Sequence, residues 1–305
     1  MSTFVEKELI CEKAFNEYGP FWHLYTDGTK MENVFCSNED MILVMTAIAV
    51  EKSMSEDVMI ITFEIMKNHL HFIMAGERDA CLEFFARLKR RIMRMFSSTD
   101  NVIDWSNFQA SILPIDNLKS LRNEIIYVNR NAFVANPDYT PYSYPWGGGC
   151  AYFNELMQLL PVCSIEDFSV TRRRELARCR DVSKLGGLKF VGNIPFIPGF
   201  CRIDIGEMMF RDARSYFHSL TRNAEAFSQI AARLKDVIFL TDDELFSVAV
   251  KCAEAMFSES KLTMLRPEQR IQLAKDLHFK YNASNQQLRR LLKLDVKILS
   301  EMFPE

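Results

Sequence analysis

The chain has 305 residues, of which 48% are hydrophobic and 25% are charged, and its formal net charge is −3. This length is long for one domain and sufficient for two, and the composition is that of a soluble globular protein with a sizeable core. The slightly negative charge excludes a uniformly basic nucleic-acid-binding protein, so any surface for nucleic acid must be a local basic cluster.

The cysteines and the apolar segments indicate the compartment. Eight cysteines are present without a single Cys-X-X-Cys pair. This spacing supports neither a zinc ribbon nor a disulfide scaffold, and it favours a reducing cytosol. The most apolar run, residues 41–50, is shorter than the roughly 20 residues of a membrane-spanning helix, and no signal peptide opens the chain. We therefore expect a cytoplasmic protein that does not enter a membrane.

The first half of the chain carries a clear succession of strand and helix patterns. In chain order we predict a strand at 21–26, a helix from 37–40 to about 54, strands at 58–65 and 69–74, a helix at 76–96, a strand at 108–115 and a helix from 116 to about 134. This order, β-α-β-β-α-β-α, predicts an α+β fold in residues 1–150, with a ferredoxin-like antiparallel sheet and helices on one face.

The second half carries a mainly helical pattern. A loop rich in proline, glycine and tyrosine at 137–149 marks the expected boundary, so we predict an all-helical domain at 151–305, with an irregular stretch at 185–201. The tail predicts three short helices, at 271–279, 284–292 and 296–302. Two such helices across a tight turn fit either a DNA-reading helix-turn-helix or an αα-hairpin cap, and both interpretations stay open.

Two histidines in the predicted hairpin are the first candidate site residues. Residues 66–74 read Met-Lys-Asn-His-Leu-His-Phe-Ile-Met. A strand turns alternate side chains to opposite faces, so His69 and His71 share one face while their apolar neighbours enter the core. A rise of about 3.3 Å per residue separates the two imidazoles by about 7 Å. Such a pair suits a divalent cation that takes further ligands from oxygen atoms, although a chance His-X-His tripeptide has the same geometry.

The helix predicted from residue 116 carries a tyrosine away from its apolar stripe. Tyr127 lies two residues after Ile125, about 200° around a helix of 3.6 residues per turn. Asn131, four residues later, shares the face of Tyr127. A tyrosine and an amide on a polar helix face can meet a cation site on a neighbouring sheet, and the alternative interpretation is a surface tyrosine.

Taken together, these segments resemble the single-strand tyrosine transposases called HUH endonucleases. The His-Leu-His segment is similar to the His-hydrophobe-His box of the REP-associated tyrosine transposases in particular. Three further stretches follow the order of that family: residues 22–25 (Trp-His-Leu-Tyr), the arginine-rich helix after the box, and residues 127–132 (Tyr-Val-Asn-Arg-Asn-Ala) with 136–139 (Asn-Pro-Asp-Tyr). The third of these stretches resembles the family's Tyr-x-x-x-Asn-Pro element and the Asp-Tyr segment that follows it. The similarity covers residues 15–148, about half of the chain.

The resemblance implies a metal-dependent transposase or endonuclease that acts on single-stranded DNA. His69, His71 and Asn131 would bind Mg²⁺ or Mn²⁺, and Tyr127 would attack a DNA phosphodiester, which leaves a 5′-phosphotyrosine link and a free 3′-hydroxyl. The covalent link preserves the energy of the broken bond, so strands can be rejoined without a nucleotide cofactor. The DNA partner would be a single strand with a hairpin, bound by a monomer or a homodimer associated with the nucleoid. His23 matches a strand histidine of the family, and we assign it no catalytic role.

Two basic clusters and one aromatic loop are candidate DNA contacts. The basic clusters lie on the helix after the histidine box and at the entry to the second half of the chain, and they comprise Arg87, Lys89, Arg90, Arg91, Arg94, Arg172, Arg173 and Arg174, with Arg178 and Arg180 after them. Such groups can position a strand through its phosphates, whereas a solvated helix face is the simpler interpretation. The loop aromatics are candidates for stacking on unpaired bases or for packing on their own domain: Tyr139, Tyr142, Tyr144 and Trp146.

Departures from the family pattern leave two other functions open. Lys67 and Ala132 stand where the family usually has proline, and the strongly basic character of many family members is missing. One alternative is therefore a catalytically reduced, repurposed DNA-binding or regulatory protein on the same fold. Another is a metalloenzyme unrelated to DNA, for which the arginine clusters have no role and salt-sensitive oligonucleotide binding is not expected.

Overall fold

The structure is a computed structural model that describes residues 4–97, 103–135, 139–140, 143–222, 224–234 and 240–303. The chain forms two compact units, Met1–Phe217 and His218–Glu305. The boundary thus falls after residue 217 and not at the expected residue 150.

A four-stranded antiparallel sheet forms the centre of the first unit. Its strands are β1 (Phe21–Thr26), β2 (Val58–Ile65), β3 (Leu70–Gly76) and β4 (Ala110–Ile115), in the spatial order β2-β3-β1-β4. This is the order of a ferredoxin-like β-α-β-β-α-β arrangement. The predicted α+β fold class and the four predicted strands of this sheet are confirmed.

Helices cover both faces of this sheet, so the expectation of helices on one face is wrong. They are α1 (Phe4–Tyr18), α2 (Asn38–Ser53), α3 (Arg78–Phe96) and α4 (Leu118–Ala135). The ring of Phe84 on α3 packs against Phe72 on β3, and α2 packs beside α3, so these two helices share one face. The ring of Tyr127 on α4 packs against His71, the strand neighbour of Phe72, so α4 lies on the opposite face. Helix α1 was not predicted from the sequence.

Local sequence explains the start of α2, the first crossover helix. The Ser37 side chain accepts a hydrogen bond from the backbone N–H of Asp40, and the Asp40 carboxylate accepts one from the backbone N–H of Ser37. This reciprocal capping satisfies two amide groups that the first helical turn leaves without intrahelical partners. The helix-start signal predicted at residues 37–40 is therefore confirmed.

Residues beyond 150 belong to the first unit because they close the outer edge of β2. The Tyr152 hydroxyl donates to the Ile61 carbonyl over 2.9 Å, and the Arg202 backbone N–H donates to the Ile60 carbonyl over 2.7 Å. An open strand edge would expose unpaired backbone groups, and these bonds satisfy them within the chain. Gly148 permits the approach to β2, since a Cβ there would overlap the Thr62 side chain, and Gly149 permits the approach to α4, since a Cβ there would lie 2.9 Å from the Asn129 carbonyl oxygen.

The segment between residues 151 and 217 is less helical than predicted. It contains a small antiparallel sheet of β5 (Cys163–Ser164), β6 (Lys189–Val191) and β7 (Ile194–Pro195). Its helices are α5 (Val170–Ala177), α6 (Ile203–Met208) and α7 (Ala213–Arg222), and α7 extends across the boundary between the units. The strands β6 and β7 fall in the stretch 185–201, whose prolines and glycines suit a short hairpin.

The second unit is helical in its described residues, as predicted. Its helices are α8 (Ala224–Leu234), α9 (Asp242–Phe257), α10 (Pro267–Tyr281), α11 (Asn285–Leu292) and α12 (Val296–Met302). The last three match the helices predicted for the tail. Helix α11 packs against both α10 and α12, which is compatible with either interpretation of the tail. No helix in the described ranges is long and apolar enough to cross a bilayer.

Cysteine reactivity offers a direct check on this packing. Cys36 and Cys163 are exposed, whereas Cys81 and Cys150 are buried, and burial raises the pKa of each of these two buried thiols to about 12. Because the thiolate is the reactive form, we expect iodoacetamide at pH 8 to label the exposed pair and to spare the buried pair in the native protein. Mass spectrometry of labelled peptides measures this, and rapid labelling of Cys150 would contradict the packing of the segment after residue 143.

Candidate active site

Two predicted metal ligands and the predicted nucleophile meet on one face of the sheet. The ring centres of His69 and His71 are 4.9 Å apart, and those of His71 and Tyr127 are 5.8 Å apart. His71 lies within β3 and His69 directly precedes this strand, so alternation turns both rings toward α4. The third predicted ligand, Asn131, is buried one helical turn after Tyr127.

The side chain of Tyr127 is only 2% exposed, so the expectation that it lies off the packed side of its helix is wrong. The reason is that α4 is covered on two sides. Asn129, about 200° around the helix from Tyr127, is also buried, and its amide donates to the Tyr216 hydroxyl of α7 over 3.0 Å. The face that looked polar in the sequence therefore packs against the sheet, and its polar groups bond within the protein.

A buried chain of hydrogen bonds runs from α4 to the histidine box. Oε2 of Glu124 lies 2.8 Å from Nδ1 of His23, and Nε2 of His23 lies 3.0 Å from Nδ1 of His71. All three side chains are almost completely buried. His23 is thus a satisfied strand histidine, as expected, but it also links a carboxylate to a predicted metal ligand.

When His23 and His71 are both neutral, this chain assigns the ring hydrogen of His71 to one nitrogen. A carboxylate at Glu124 can only accept, so Nδ1 of His23 donates to it, and Nε2 of a neutral His23 must accept. The hydrogen between the two rings then belongs to Nδ1 of His71. Nε2 of His71 is left without a hydrogen, which is the form of imidazole that coordinates a metal ion.

Asn68 fixes the other histidine in the same way. Its amide nitrogen donates to the carbonyls of Gly28 and Met31, over 2.7 and 3.1 Å. The amide oxygen therefore faces Nδ1 of His69, 2.7 Å away, and Nδ1 carries the hydrogen. Gly28 also lies against this ring, because a Cβ there would come within 2.6 Å of Nδ1. In its neutral form His69 consequently also presents an Nε2 without a hydrogen.

The two histidines fit a divalent cation because their tautomers and their proximity both suit one. No group of three or more His, Cys, Asp or Glu side chains is placed to hold a metal ion among the described residues. A cation at His69 and His71 would therefore take its other ligands from oxygen atoms, such as the Asn131 amide or water. This mixed nitrogen and oxygen set suits Mn²⁺ and accommodates Mg²⁺.

Sequence reasoning did not assign roles to three buried neighbours of the site. Glu124 precedes Tyr127 by three residues, so the i, i+3 spacing places both on one helix face and was a usable signal. Tyr25 is paired with His71 across β1 and β3, and Glu64 is paired with His71 across β2 and β3. The Tyr25 pairing joins strands that are distant in the chain, so no local pattern reports it, whereas the Glu64 pairing lies within one hairpin, whose turn fixes the register.

Replacement of Glu124 by glutamine tests this buried chain. Glutamine keeps the size of the side chain but removes the charge that orients His23 and, through it, His71. Loss of such an outer partner typically costs about 10- to 100-fold in metal affinity, so we expect the protein to require a correspondingly higher Mn²⁺ concentration to fill this site. Isothermal titration calorimetry with Mn²⁺ measures this. Glu83→Gln, on the opposite face of the sheet, is the control and should leave the titration unchanged.

The arginine-rich helix does not lie beside the histidines as the sequence suggested. It is α3, which packs on the Phe72 face of the sheet, whereas His69, His71 and Tyr127 lie on the α4 face. Three of its basic side chains donate hydrogen bonds within the protein: Arg87 to Glu83 and Ser55, Lys89 to the Trp105 carbonyl, and Arg91 to Glu51. In the second cluster, Arg173 donates to the carbonyls of Glu166 and Phe168. Arg90, Arg94 and Arg174 are exposed and Arg172 is half-buried.

The aromatic loop packs on its own unit where the structure describes it. The Tyr144 hydroxyl donates to the Ile65 carbonyl over 2.5 Å, and Trp146 is buried. Burial also holds the pKa of Tyr144 above its usual range. Tyr139 stacks edge-on against Tyr144, with ring centres 5.0 Å apart. The packing interpretation therefore accounts for Tyr144 and Trp146, while Tyr142 and residues 136–138 of the family-like segment lie outside the described residues.

The chain matches no model of a known protein family, no curated protein and no solved structure. A functional conclusion therefore depends on the geometry of this site and on the motifs that the sequence carries.

Proposed function

We propose that the protein is a metal-dependent, single-strand DNA transposase or endonuclease that cleaves through Tyr127. The observation that carries this proposal is the convergence of His69, His71 and Tyr127 on one face of a ferredoxin-like sheet. The chain separates the tyrosine from the histidines by two secondary-structure elements, β4 and α3, and the fold brings them within ring-contact distance. This is the arrangement that the resembled family requires of its nucleophile and its metal ligands.

The reaction follows from the groups that the site brings together. The Tyr127 phenol oxygen would form a bond to a DNA phosphorus, the bond from that phosphorus to the 3′ oxygen would break, and the 3′ oxygen would take up a proton equivalent to the one the phenol releases. A bound divalent cation would supply polarisation of the phosphate oxygens. His69 and His71 would hold that cation through Nε2, and Asn68 and His23 would keep the two rings oriented.

Access to Tyr127 requires part of the protein to move. The tyrosine is 2% exposed and His71 is fully buried, so a DNA phosphate must displace covering groups to reach either side chain. At His69 the cover is the turn at Gly28–Lys30, which Asn68 holds to the hairpin through two hydrogen bonds. Surface turns open at lower free-energy cost than the core of a domain.

The same burial favours a second candidate function. A DNA-binding or regulatory protein on this fold, with cleavage lost, would keep the packed Glu124–His23–His71 chain for its structural value. It would have no need to expose Tyr127. This candidate predicts DNA binding without any covalent product.

One assay separates the two functions. Labelled single-stranded oligonucleotides that carry hairpins are incubated with the protein and Mn²⁺ or Mg²⁺ and analysed on denaturing gels, and any shifted band is digested for mass spectrometry. Cleavage predicts a covalent adduct that EDTA abolishes and that maps to the peptide containing Tyr127. Binding without an adduct across a broad hairpin library favours the second candidate, and the absence of binding contradicts both.

A further inference from the structure

The two arginine clusters of the sequence meet at one cavity in the first unit. The cavity has a volume of about 1270 Å³ and lies among α2, the C-terminal half of α3 and the segment around α5. Five arginines from the two clusters line it: Arg91, Arg94, Arg172, Arg178 and Arg180. The sequence separates the two groups by almost 80 residues, so their convergence is a property of the fold.

Two of these arginines are held by carboxylates of the same unit. Nε of Arg91 lies 2.5 Å from Oε1 of Glu51, and Nη1 of Arg172 lies 3.0 Å from Oε2 of Glu175. Their guanidinium groups are therefore oriented by the protein but partly neutralised. They can still donate from their remaining N–H groups, because a guanidinium carries five donors.

The other three arginines of the cavity are exposed and not neutralised. Within the described residues, no carboxylate lies within ion-pair distance of Arg94, Arg178 or Arg180, whereas Arg91 and Arg172 each have one. Three carboxylates line the cavity and Glu51 pairs with Arg91 from outside the lining, so four carboxylates stand against five arginines and leave an excess of one positive charge. A cavity with this balance attracts anions, and guanidinium groups match phosphate oxygens in geometry as well as in charge.

The size and lining of the cavity favour a strand over a small anion. Pockets for small molecules typically span about 300 to 1000 Å³, so a cavity of about 1270 Å³ exceeds that range. Half-buried apolar side chains, including Ile42, Leu43 and Met95, share the lining with the arginines. Proteins that hold single-stranded nucleic acid combine cationic groups for the backbone with apolar or planar surfaces for the bases.

The cavity is separated from the candidate active site by the sheet. It lies on the side of α2 and α3, which pack on the Phe72 face, whereas Tyr127 packs on the His71 face. A phosphate bound at Arg94 is therefore not the phosphate that Tyr127 would attack. We propose that this arginine cavity binds the backbone of single-stranded DNA at a distance from the cleaved bond, as a second and sequence-independent contact. This inference extends the proposed function, and its test measures binding alone.

The test compares two exposed arginines on the same helix. Arg94 lines the cavity, whereas Arg90, also exposed and on α3, does not. The probe is a fluorescein-labelled (dT)12 oligonucleotide, which forms no hairpin, and binding to the full chain is followed by fluorescence anisotropy in EDTA, which prevents cleavage. We expect Arg94→Ala and Arg180→Ala each to weaken binding about tenfold and to reduce the salt slope by about 0.7. Arg90→Ala removes the same charge and should stay within twofold of the unmodified protein.

Each outcome decides the inference separately from the proposed function. Equal losses for Arg90→Ala and Arg94→Ala would overturn the cavity assignment, as would an absence of (dT)12 binding, and a covalent adduct in the cleavage assay would still support the function. Selective loss at Arg94 and Arg180 without any adduct would support the cavity and count against cleavage. If dTTP displaces the labelled (dT)12 as well as unlabelled (dT)12 does at the same concentration, the cavity is a site for small anions, and the strand assignment is overturned.

Discussion

A Tyr127→Phe protein is expected to bind hairpin DNA with unchanged affinity and to form no covalent adduct. The substitution removes a single oxygen atom, the one that would attack phosphorus. Loss of a nucleophile in a covalent mechanism lowers the rate by about 10⁴-fold or more, which places adduct formation below detection. Denaturing gels with labelled hairpin oligonucleotides and Mn²⁺ measure the adduct, and anisotropy measures the binding.

The matched control is Tyr25→Phe, which makes the same atomic change in the same cluster. The ring of Tyr25 lies 5.6 Å from His23 and 6.3 Å from His71, compared with 6.2 and 5.8 Å for the ring of Tyr127. Both tyrosines are buried, so each loses a hydroxyl from a similar environment. Adduct formation should survive Tyr25→Phe. If both variants lose the adduct, disturbance of the histidine cluster is the better explanation, and the assignment of Tyr127 as nucleophile fails.

Much of the fold was predictable because its signals are local. A β-branched apolar run identified β2, a strand-like run ended by a turn signal identified β1, and alternation identified β3. Helical periodicity identified α3 and α4, and the helix-start residues from Ser37 to Asp40 identified the start of α2. Their order in the chain was sufficient to predict a ferredoxin-like sheet, since few topologies join a hairpin and two crossover helices. The tail helices α10, α11 and α12 were predicted on the same basis.

The part that was not predicted depends on contacts between distant residues. Closure of the β2 edge by Tyr152 and Arg202 places residues 151–217 in the first unit, and no local pattern reports it. The burial of Tyr127 has the same origin, because its side of α4 packs against His23 on β1 and His71 on β3, which are distant from it in the chain.

The candidate site shows the same division between local and distant information. Strand alternation placed His69 and His71 on one face, and helix periodicity placed Tyr127 and Asn131 together. The link from Glu124 through His23 to His71 required the pairing of β1 with β3, so it appeared only in the structure. The arginines were recognised as clusters, but their position relative to the histidines depends on which face of the sheet α3 occupies.

A Gly206→Ala protein is expected to lose about 3 kcal/mol of folding free energy, because a methyl group at this position has no space. It would overlap the Tyr152 hydroxyl and lie 2.6 Å from Cζ of that ring. The ring cannot easily move away, since it is fully buried, stacks on Tyr216 with ring centres 5.2 Å apart, and donates its hydroxyl hydrogen to the Ile61 carbonyl. Overpacking of a tight core costs about 1 to 3 kcal/mol and occasionally more, and a melting temperature lower by roughly 6 to 12 °C should follow.

The decisive measurement is a double-mutant cycle followed by thermal unfolding. Tyr152→Phe alone should destabilise the protein by about 1 kcal/mol, because it removes the hydrogen bond to β2. In the Gly206→Ala background the same change removes the overlapping oxygen, so it should instead raise the melting temperature. This reversal of sign is the signature of direct contact between the two residues. Gly186→Ala is the control, since a Cβ there would make only an ordinary contact at 3.6 Å with Glu166. If Gly206→Ala melts like the unmodified protein, residues 151–217 do not pack on β2, and the first unit ends earlier than residue 217.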